Sequence, residues 1–253
     1  MNKIIFITGA TSGFGKASAK LFAQNGDHLI LTGRRQDRLE RLSNKLIDKY
    51  NIRVMPLCFD VRDQAATLEA INTLPENWKK IDVLINNAGL ASGLNKIQDG
   101  DFDDWNKMID TNIKGLLHVS RSVMPLMIAR KKGHIINIGS TAGKEAYLNG
   151  NVYCATKHAV DAISKSMRID LLEHGIKVTQ ICPGAAETEF SEVRFHGDKT
   201  RAKDVYNGYK PMSADDVASV IYYSTTLPKH LCINDLVLTS LAQANSYYIN
   251  REN

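Results

Sequence analysis

Tyr153 and Lys157 stand four residues apart in Tyr153-Cys154-Ala155-Thr156-Lys157, a spacing that puts both on one face of a helix. A free phenol keeps its proton up to a pKa of about 10. A neighbouring ammonium favours the phenolate, so such a pair could pass a proton to or from an alcohol oxygen. The same spacing is also common on helices that do no chemistry. Ser140 narrows the choice. It ends an apolar run in Gly139-Ser140-Thr141-Ala142-Gly143, where an α/β sheet presents its ligand-binding edge.

A second constellation lies near the start of the chain. The apolar run Ile4-Ile5-Phe6-Ile7 leads into Thr8-Gly9-Ala10-Thr11-Ser12-Gly13-Phe14-Gly15. Glycines there permit a tight turn, let backbone N–H groups approach a pyrophosphate, and open a helix whose N-terminus favours anions. The spacing is G-x-x-x-G-x-G, not the G-x-G-x-x-G of the common dinucleotide fingerprint. After the second strand come Gly33-Arg34-Arg35, where NAD enzymes often carry an acid for the ribose 2′-hydroxyl. Two guanidiniums instead suit a 2′-phosphate, so the expected cofactor is NADP. The bland alternative is a solvated helix start. Asp60, past the third strand, could bond an adenine amine, and Asn86-Asn87-Ala88-Gly89 places polar groups where the cofactor must pass.

These residues need a scaffold, and the hydrophobic pattern supplies one. Strands are expected at 4–7, 28–32, 53–59, 81–85, 134–138, 177–182 and 235–239, with helices at 18–25, 37–50, 63–74, 101–131, 153–174 and 213–226. Alternating β and α elements with short continuous apolar strands read as α/β. The fold expected is a Rossmann-type doubly wound parallel sheet of about seven strands flanked by helices. No linker divides the chain, so 1–253 reads as a single domain. Residues 184–212 have weak periodicity, and an irregular stretch of that length is usually functional.

Composition removes other classes. The chain has 253 residues, of which 43% are hydrophobic, which excludes a disordered protein. A net charge of +5 without a basic block gives no reason to expect nucleic acid. No apolar run is long enough to span a membrane. The four cysteines form no CxxC pair, which suits a reducing, cytoplasmic setting. The seven histidines show no H-x-x-x-H and no cysteine pairing, so no metal site is expected. Trp78, Trp105, Met124, Met127 and Met167 read as packing residues.

Taken together, Thr8-Gly9-x-x-x-Gly13-x-Gly15, Asp60, Asn86-Asn87-Ala88-Gly89, Asn112, Ser140, Tyr153-x-x-x-Lys157 and Pro183-Gly184-x-x-x-Thr188 resemble the short-chain dehydrogenase/reductase family over nearly the whole chain. Thr188-Glu189-Phe190-Ser191-x-Val193-Arg194-Phe195-x-Gly197-Asp198, with Asn151-Val152-Tyr153 and Leu227-Pro228, is similar to its NADP-dependent 3-hydroxy acid dehydrogenase branch, whose members oxidise serine and allo-threonine. The resemblance implies Tyr153 as general acid/base. It implies Lys157 on the nicotinamide ribose and Ser140 on the substrate oxygen. Asn112 would help to hold a water that relays protons to Lys157. It implies cofactor contacts from Gly9, Thr11, Ser12, Gly13, Phe14, Gly15, Arg34, Arg35, Asp60, Val61, Asn87, Ala88, Gly89, Pro183, Gly184 and Thr188. Relatives usually form tetramers through the helices matching 101–131 and 153–174.

The implied reaction is reversible, NADP-linked oxidation of a secondary alcohol, such as a small 3-hydroxy acid. A carboxylate on that substrate would need a cation in a closed site, and Arg194 is the candidate. It could equally pair with Glu189 or Glu192 and only order the 184–212 loop. A reductase of larger carbonyls, such as 3-oxoacyl thioesters or diketones, and a non-catalytic NADPH-binding regulator are the alternative functions.

Overall fold

The structure, a computed structural model, describes residues 2–252. Nine strands and nine α-helices are assigned along these residues. They run β1 (Ile4–Ile7), α1 (Gly13–Gln24), β2 (His28–Gly33), α2 (Gln36–Tyr50), β3 (Val54–Cys58), α3 (Gln64–Asn72), β4 (Val83–Asn86), α4 (Phe102–Ile109) and α5 (Leu116–Arg130). Then come β5 (Gly133–Ile138), α6 (Asn151–Asp170), β6 (Ile176–Pro183), β7 (Ala186–Glu187), α7 (Glu189–Arg194), α8 (Lys199–Asp204), β8 (Met212–Ser213), α9 (Ala214–Thr226) and β9 (Asp235–Leu238).

Seven strands form one sheet in the order β3-β2-β1-β4-β5-β6-β9, with every pairing parallel. This is the doubly wound α/β architecture the pattern predicts. The apolar run of β1 shows why it reads as continuous rather than alternating. Ile5 and Ile7 enter the core beneath α1, α2 and α9, whereas Ile4 and Phe6 enter the core beneath α3, α5 and α6. Both faces are covered, which is why all four positions are apolar. Each such fully buried side chain contributes roughly 1.5–3 kcal/mol. The chain winds outward from β1 to β3, then returns to place β4 on the other side of β1. That reversal opens a crevice at the carboxyl ends of β1 and β4.

The long helix expected over 101–131 is three pieces. Asp101 caps α4 by accepting from the N–H groups of Asp103 (2.7 Å) and Asp104 (3.1 Å). A wide π turn follows at Asp110–Gly115, and then α5. Such turns insert an extra residue and are frequent at functional sites. Here it carries the buried Asn112. The irregular stretch after Pro183-Gly184 contains two short helices. Thr188 caps α7 and Asp198 caps α8. Beyond β9 the tail returns over this segment, where the buried Gln243 accepts from Ala185 N–H (2.8 Å). Among the described residues no helix is long and apolar enough to cross a membrane.

Candidate active site

The floor of the crevice is the turn between β1 and α1. Gly9 (φ +64°) and Gly13 (φ +49°) adopt left-handed conformations that other residues rarely enter. Thr8 pins the turn to the end of β4. Its buried hydroxyl accepts from the N–H groups of Asn87 and Ala88, both at 2.9 Å. Asn87 Nδ2 in turn donates to the carbonyls of Thr8 (2.9 Å) and Gly9 (3.2 Å). Ser12 occupies the N-cap of α1 in extended conformation, yet its side chain makes no capping bond, and the first turn holds no acid. A positive helix end with a spare hydroxyl is chemistry for an anion. Asn86, by contrast, is buried in a polar network, with Nδ2 donating to Ser120 Oγ and Asn137 Oδ1, both at 2.8 Å.

The far end of the crevice is cationic. Arg34 is 57% exposed and only loosely paired with Asp60, at 3.7 Å. Arg35 donates from Nε (3.3 Å) and Nη2 (2.9 Å) to Thr11 Oγ1, and from Nη1 to Glu189 (3.0 Å). Arg38, which no motif singles out, also reaches Glu189 at 3.0 Å. Asp60 lines the crevice beside Val61 and accepts from Arg62 Nη2 (2.6 Å) and Nε (2.9 Å). Burial works against its ionisation, but the Arg62 bonds hold its carboxyl below the usual range.

The proton-handling residues meet at the other end. Ser140 lies two residues past the end of β5 and is buried. Its hydroxyl accepts from Ala142 N–H (3.1 Å) and donates to Pro183 O (3.3 Å). One turn of α6 carries Tyr153 and Lys157, both buried. Lys157 Nζ donates to Ile138 O (2.9 Å) and lies 5.9 Å from the Tyr153 ring centre. Burial pushes the Lys157 ammonium down to about 8. Burial also pushes the Tyr153 phenol up, with Tyr147 adding to the rise, while Arg194 and the Ser140 bond oppose it. Sequence reasoning looked to Lys157 for that opposing charge; in the structure Arg194 is the nearer cation, 5.0 Å from the ring. Asn112 gives its whole amide to protein partners. Oδ1 accepts from Leu90 N–H (2.8 Å), and Nδ2 donates to Leu90 O (2.8 Å) and Thr156 Oγ1 (3.0 Å). It thereby fastens the Asn87–Leu90 turn to α6.

Arg194 closes the site from α7. Its guanidinium lies over Tyr147 (5.6 Å), Tyr153 (5.0 Å) and Phe190 (5.4 Å), and it donates to the Tyr147 hydroxyl. Its carbonyl accepts from Gly93 N–H (2.9 Å). Among the described residues Arg194 has no carboxylate partner, and its Nε is buried without a bond. Glu189 faces Arg35 and Arg38 instead. The loop-ordering alternative through a glutamate is therefore not what the fold provides.

The crevice is thus one surface, from Arg34 and Arg35 past Gly9, Asn87 and Thr188 to Lys157 and Tyr153. Gly13 looks across it at Thr188, whose methyl a Cβ would meet at 3.7 Å. An anion-ready helix end, a cationic far end and a buried Tyr–Ser–Lys group suit a phosphorylated dinucleotide beside an alcohol. Tyr147 and Arg38 escaped the sequence reading because no local pattern marks them, and Glu189, expected only as a partner for Arg194, turns instead to Arg35 and Arg38. Among the described residues no group of three or more His, Cys, Asp and Glu could hold a metal.

Comparison with known proteins agrees with this geometry. The pattern of the family described as short chain dehydrogenase matches residues 3–199. A protein named sulfoacetaldehyde reductase 2 from Chromohalobacter salexigens is 43% identical over 254 residues, covering 100% of both chains. NADP-dependent 3-hydroxy acid dehydrogenase YdfG of Escherichia coli K12 is 45% identical over 242 residues, 95% of this chain and 96% of that one. Among solved structures, the closed form of serine dehydrogenase complexed with NADP+ superimposes with a TM-score of 0.91 at 44% identity, covering 96% of this chain and 97% of that one.

Proposed function

The chain belongs to the short-chain dehydrogenase family, and from that premise we propose that it oxidises, reversibly, the carbinol carbon of a small 3-hydroxy acid such as serine or allo-threonine. It is an NADP-dependent oxidoreductase acting on hydroxy groups. The observation that carries the substrate class is Arg194: a cation with no carboxylate of its own, stacked 5.0 Å from the ring of the tyrosine that handles the proton. A guanidinium fork matches a carboxylate bidentately.

NADP, when bound, supplies the acceptor or donor of hydride. The residues that would hold it are the β1–α1 turn with Ser12, the guanidiniums of Arg34 and Arg35, Lys157 and Thr188. In oxidation Tyr153 Oη takes the alcohol proton as it gives its own phenolic proton on toward Lys157, and in reduction the transfer reverses, while Ser140 Oγ bonds the same substrate oxygen. Lys157, pushed down to about 8 by burial, can give up or regain its proton near working pH and so pass on what Tyr153 receives. Asn112 serves this relay by holding α6 against the Leu90 turn. Arg194, stacked on Tyr147, Tyr153 and Phe190, walls the site beside the Tyr153 ring. The exposed Leu117 on α5 and Ile169 on α6 support assembly through these two helices into a homotetramer.

A sulfonate in place of the carboxylate is a second reading. The relative named sulfoacetaldehyde reductase spans the whole chain, and a guanidinium bonds a sulfonate equally well. Initial rates with NADP and L-serine, L-allo-threonine, 3-hydroxypropionate, 3-hydroxybutyrate, 2-hydroxyethanesulfonate and uncharged 2-butanol test both. An acid or the sulfonate should exceed 2-butanol at least tenfold in kcat/KM, the yield of one charged bond. Equal rates for charged and uncharged alcohols would refute the proposal.

A further inference from the structure

Glu189 opens α7, the helix that carries Arg194, yet its carboxylate bonds arginines at the start of α2 and not Arg194. It crosses the cofactor crevice and accepts from Arg35 Nη1 (3.0 Å) and Arg38 Nη1 (3.0 and 3.1 Å). The two guanidiniums hold its carboxyl below the usual range against the effect of burial. A carboxylate between two arginines occupies the place of an anion, and these arginines lie where the cofactor's ribose phosphate is expected. We infer that Glu189 is a cofactor-specificity residue: its carboxylate competes with the 2′-phosphate for Arg35. The inference rests on the reading of Arg34 and Arg35 as the phosphate site.

Donor counting supports the competition. A guanidinium offers five N–H groups. Arg35 already commits three of them, Nε and one N–H of each Nη, to Thr11 and Glu189, and keeps only one on each Nη. That leaves Arg34, 57% exposed, as the guanidinium most open to a phosphate. Charge supports it as well. A phosphate drawn to Arg35 comes close to the Glu189 carboxylate, and like charges at short range repel. A cofactor with a plain 2′-hydroxyl raises no such conflict and leaves the Glu189 bonds in place. The same bonds tether α7 to α2, so the group that discriminates the cofactor also sits on the element that closes the substrate site.

Arg35, Arg38 and Glu189 are 41–44% exposed, so solvent and salt weaken the competition. The expected effect is therefore modest. Glu189→Gln keeps the size and removes the charge, on a surface where folding is not at stake. Dissociation constants of NADPH and NADH are read from nicotinamide fluorescence on the purified full chain, at low and high salt. Glu189→Gln should tighten NADPH about three- to tenfold at low salt and less at high salt, with NADH changing less than twofold. NADPH binding that is unchanged or weakened, or an equal shift for both cofactors, would overturn the inference. Wild-type binding separates this from its premise. If the wild type binds NADH as tightly as NADPH, the phosphate-site reading falls and the inference with it. If it prefers NADPH but Glu189→Gln does not tighten it, the inference alone falls.

Discussion

Replacing Arg194 by alanine removes two things that the structure keeps distinct. One is the stack on Tyr147, Tyr153 and Phe190, which organises the site for any substrate. Such cation–π contacts are worth about 0.5–2 kcal/mol and affect charged and uncharged alcohols alike. The other is a positive charge that no carboxylate of the described residues neutralises, which only an anionic substrate can use. A hydrogen bond to a charged group is worth roughly 1.5–3 kcal/mol, or about 10- to 150-fold. The discriminating quantity is therefore a ratio, kcat/KM for 3-hydroxypropionate over that for 2-butanol, measured by NADPH absorbance. In Arg194→Ala this ratio should fall about 10- to 100-fold. Most of the change should lie in the KM of the acid, because its charge does not alter during the reaction. Arg194→Lys should recover part of the ratio, since a point charge replaces the fork. If both substrates lose activity in equal proportion, Arg194 only organises the loop, and the 3-hydroxy acid reading loses its support.

Tyr153→Phe removes only the hydroxyl, so kcat should drop about 10²- to 10⁴-fold with NADPH affinity kept; more than a tenth of wild-type kcat would exclude it as general acid/base. Arg34→Ala should weaken NADPH and spare NADH, whereas Arg35→Ala should also loosen Thr11 and Glu189; binding titrations with both cofactors separate the two effects. Lys157, at about 8 when folded and about 10.4 when unfolded, binds more protons unfolded between those values, so its burial cost is full below pH 8 and is relieved as pH rises. Lys157→Met should therefore be inactive but more stable at pH 7, by up to about 3 kcal/mol in urea titrations; an unchanged or lower midpoint would contradict this. His134, which donates or accepts at Thr179 Oγ1 (2.7 Å), is pushed down to about 3 by burial, then by Lys177 and Lys3. The unfolded chain protonates it near 6.5, so stability is lost as pH falls from 6.5 towards 3, by at most roughly 5 kcal/mol. His134→Gln should flatten that slope, and an identical slope in urea midpoints would dismiss the assignment.

Much of this protein is legible before folding because the signals are local. The run Ile4–Ile7, apolar at every position, declares a strand covered on both faces, and Tyr153 and Lys157 share a helix face by spacing alone. Thr8–Gly15 announces a turn whose glycines take left-handed backbone, as Gly9 and Gly13 do. Local signals also mislead where geometry departs from the regular period. The apolar spacing of 101–131 reads as one helix, although the π turn at Asp110–Gly115 breaks it to turn Asn112 inward. What tertiary structure alone decided is which charges face one another across the crevice. Glu189 meets Arg35 and Arg38 from 154 and 151 residues away, and Arg194 lies on the rings of Tyr147 and Tyr153 rather than beside a glutamate. Helical period and turn chemistry act over a few residues and can be read from a string. Pairings between distant segments depend on how the sheet stacks those segments in space, and only the folded chain brings them within reach.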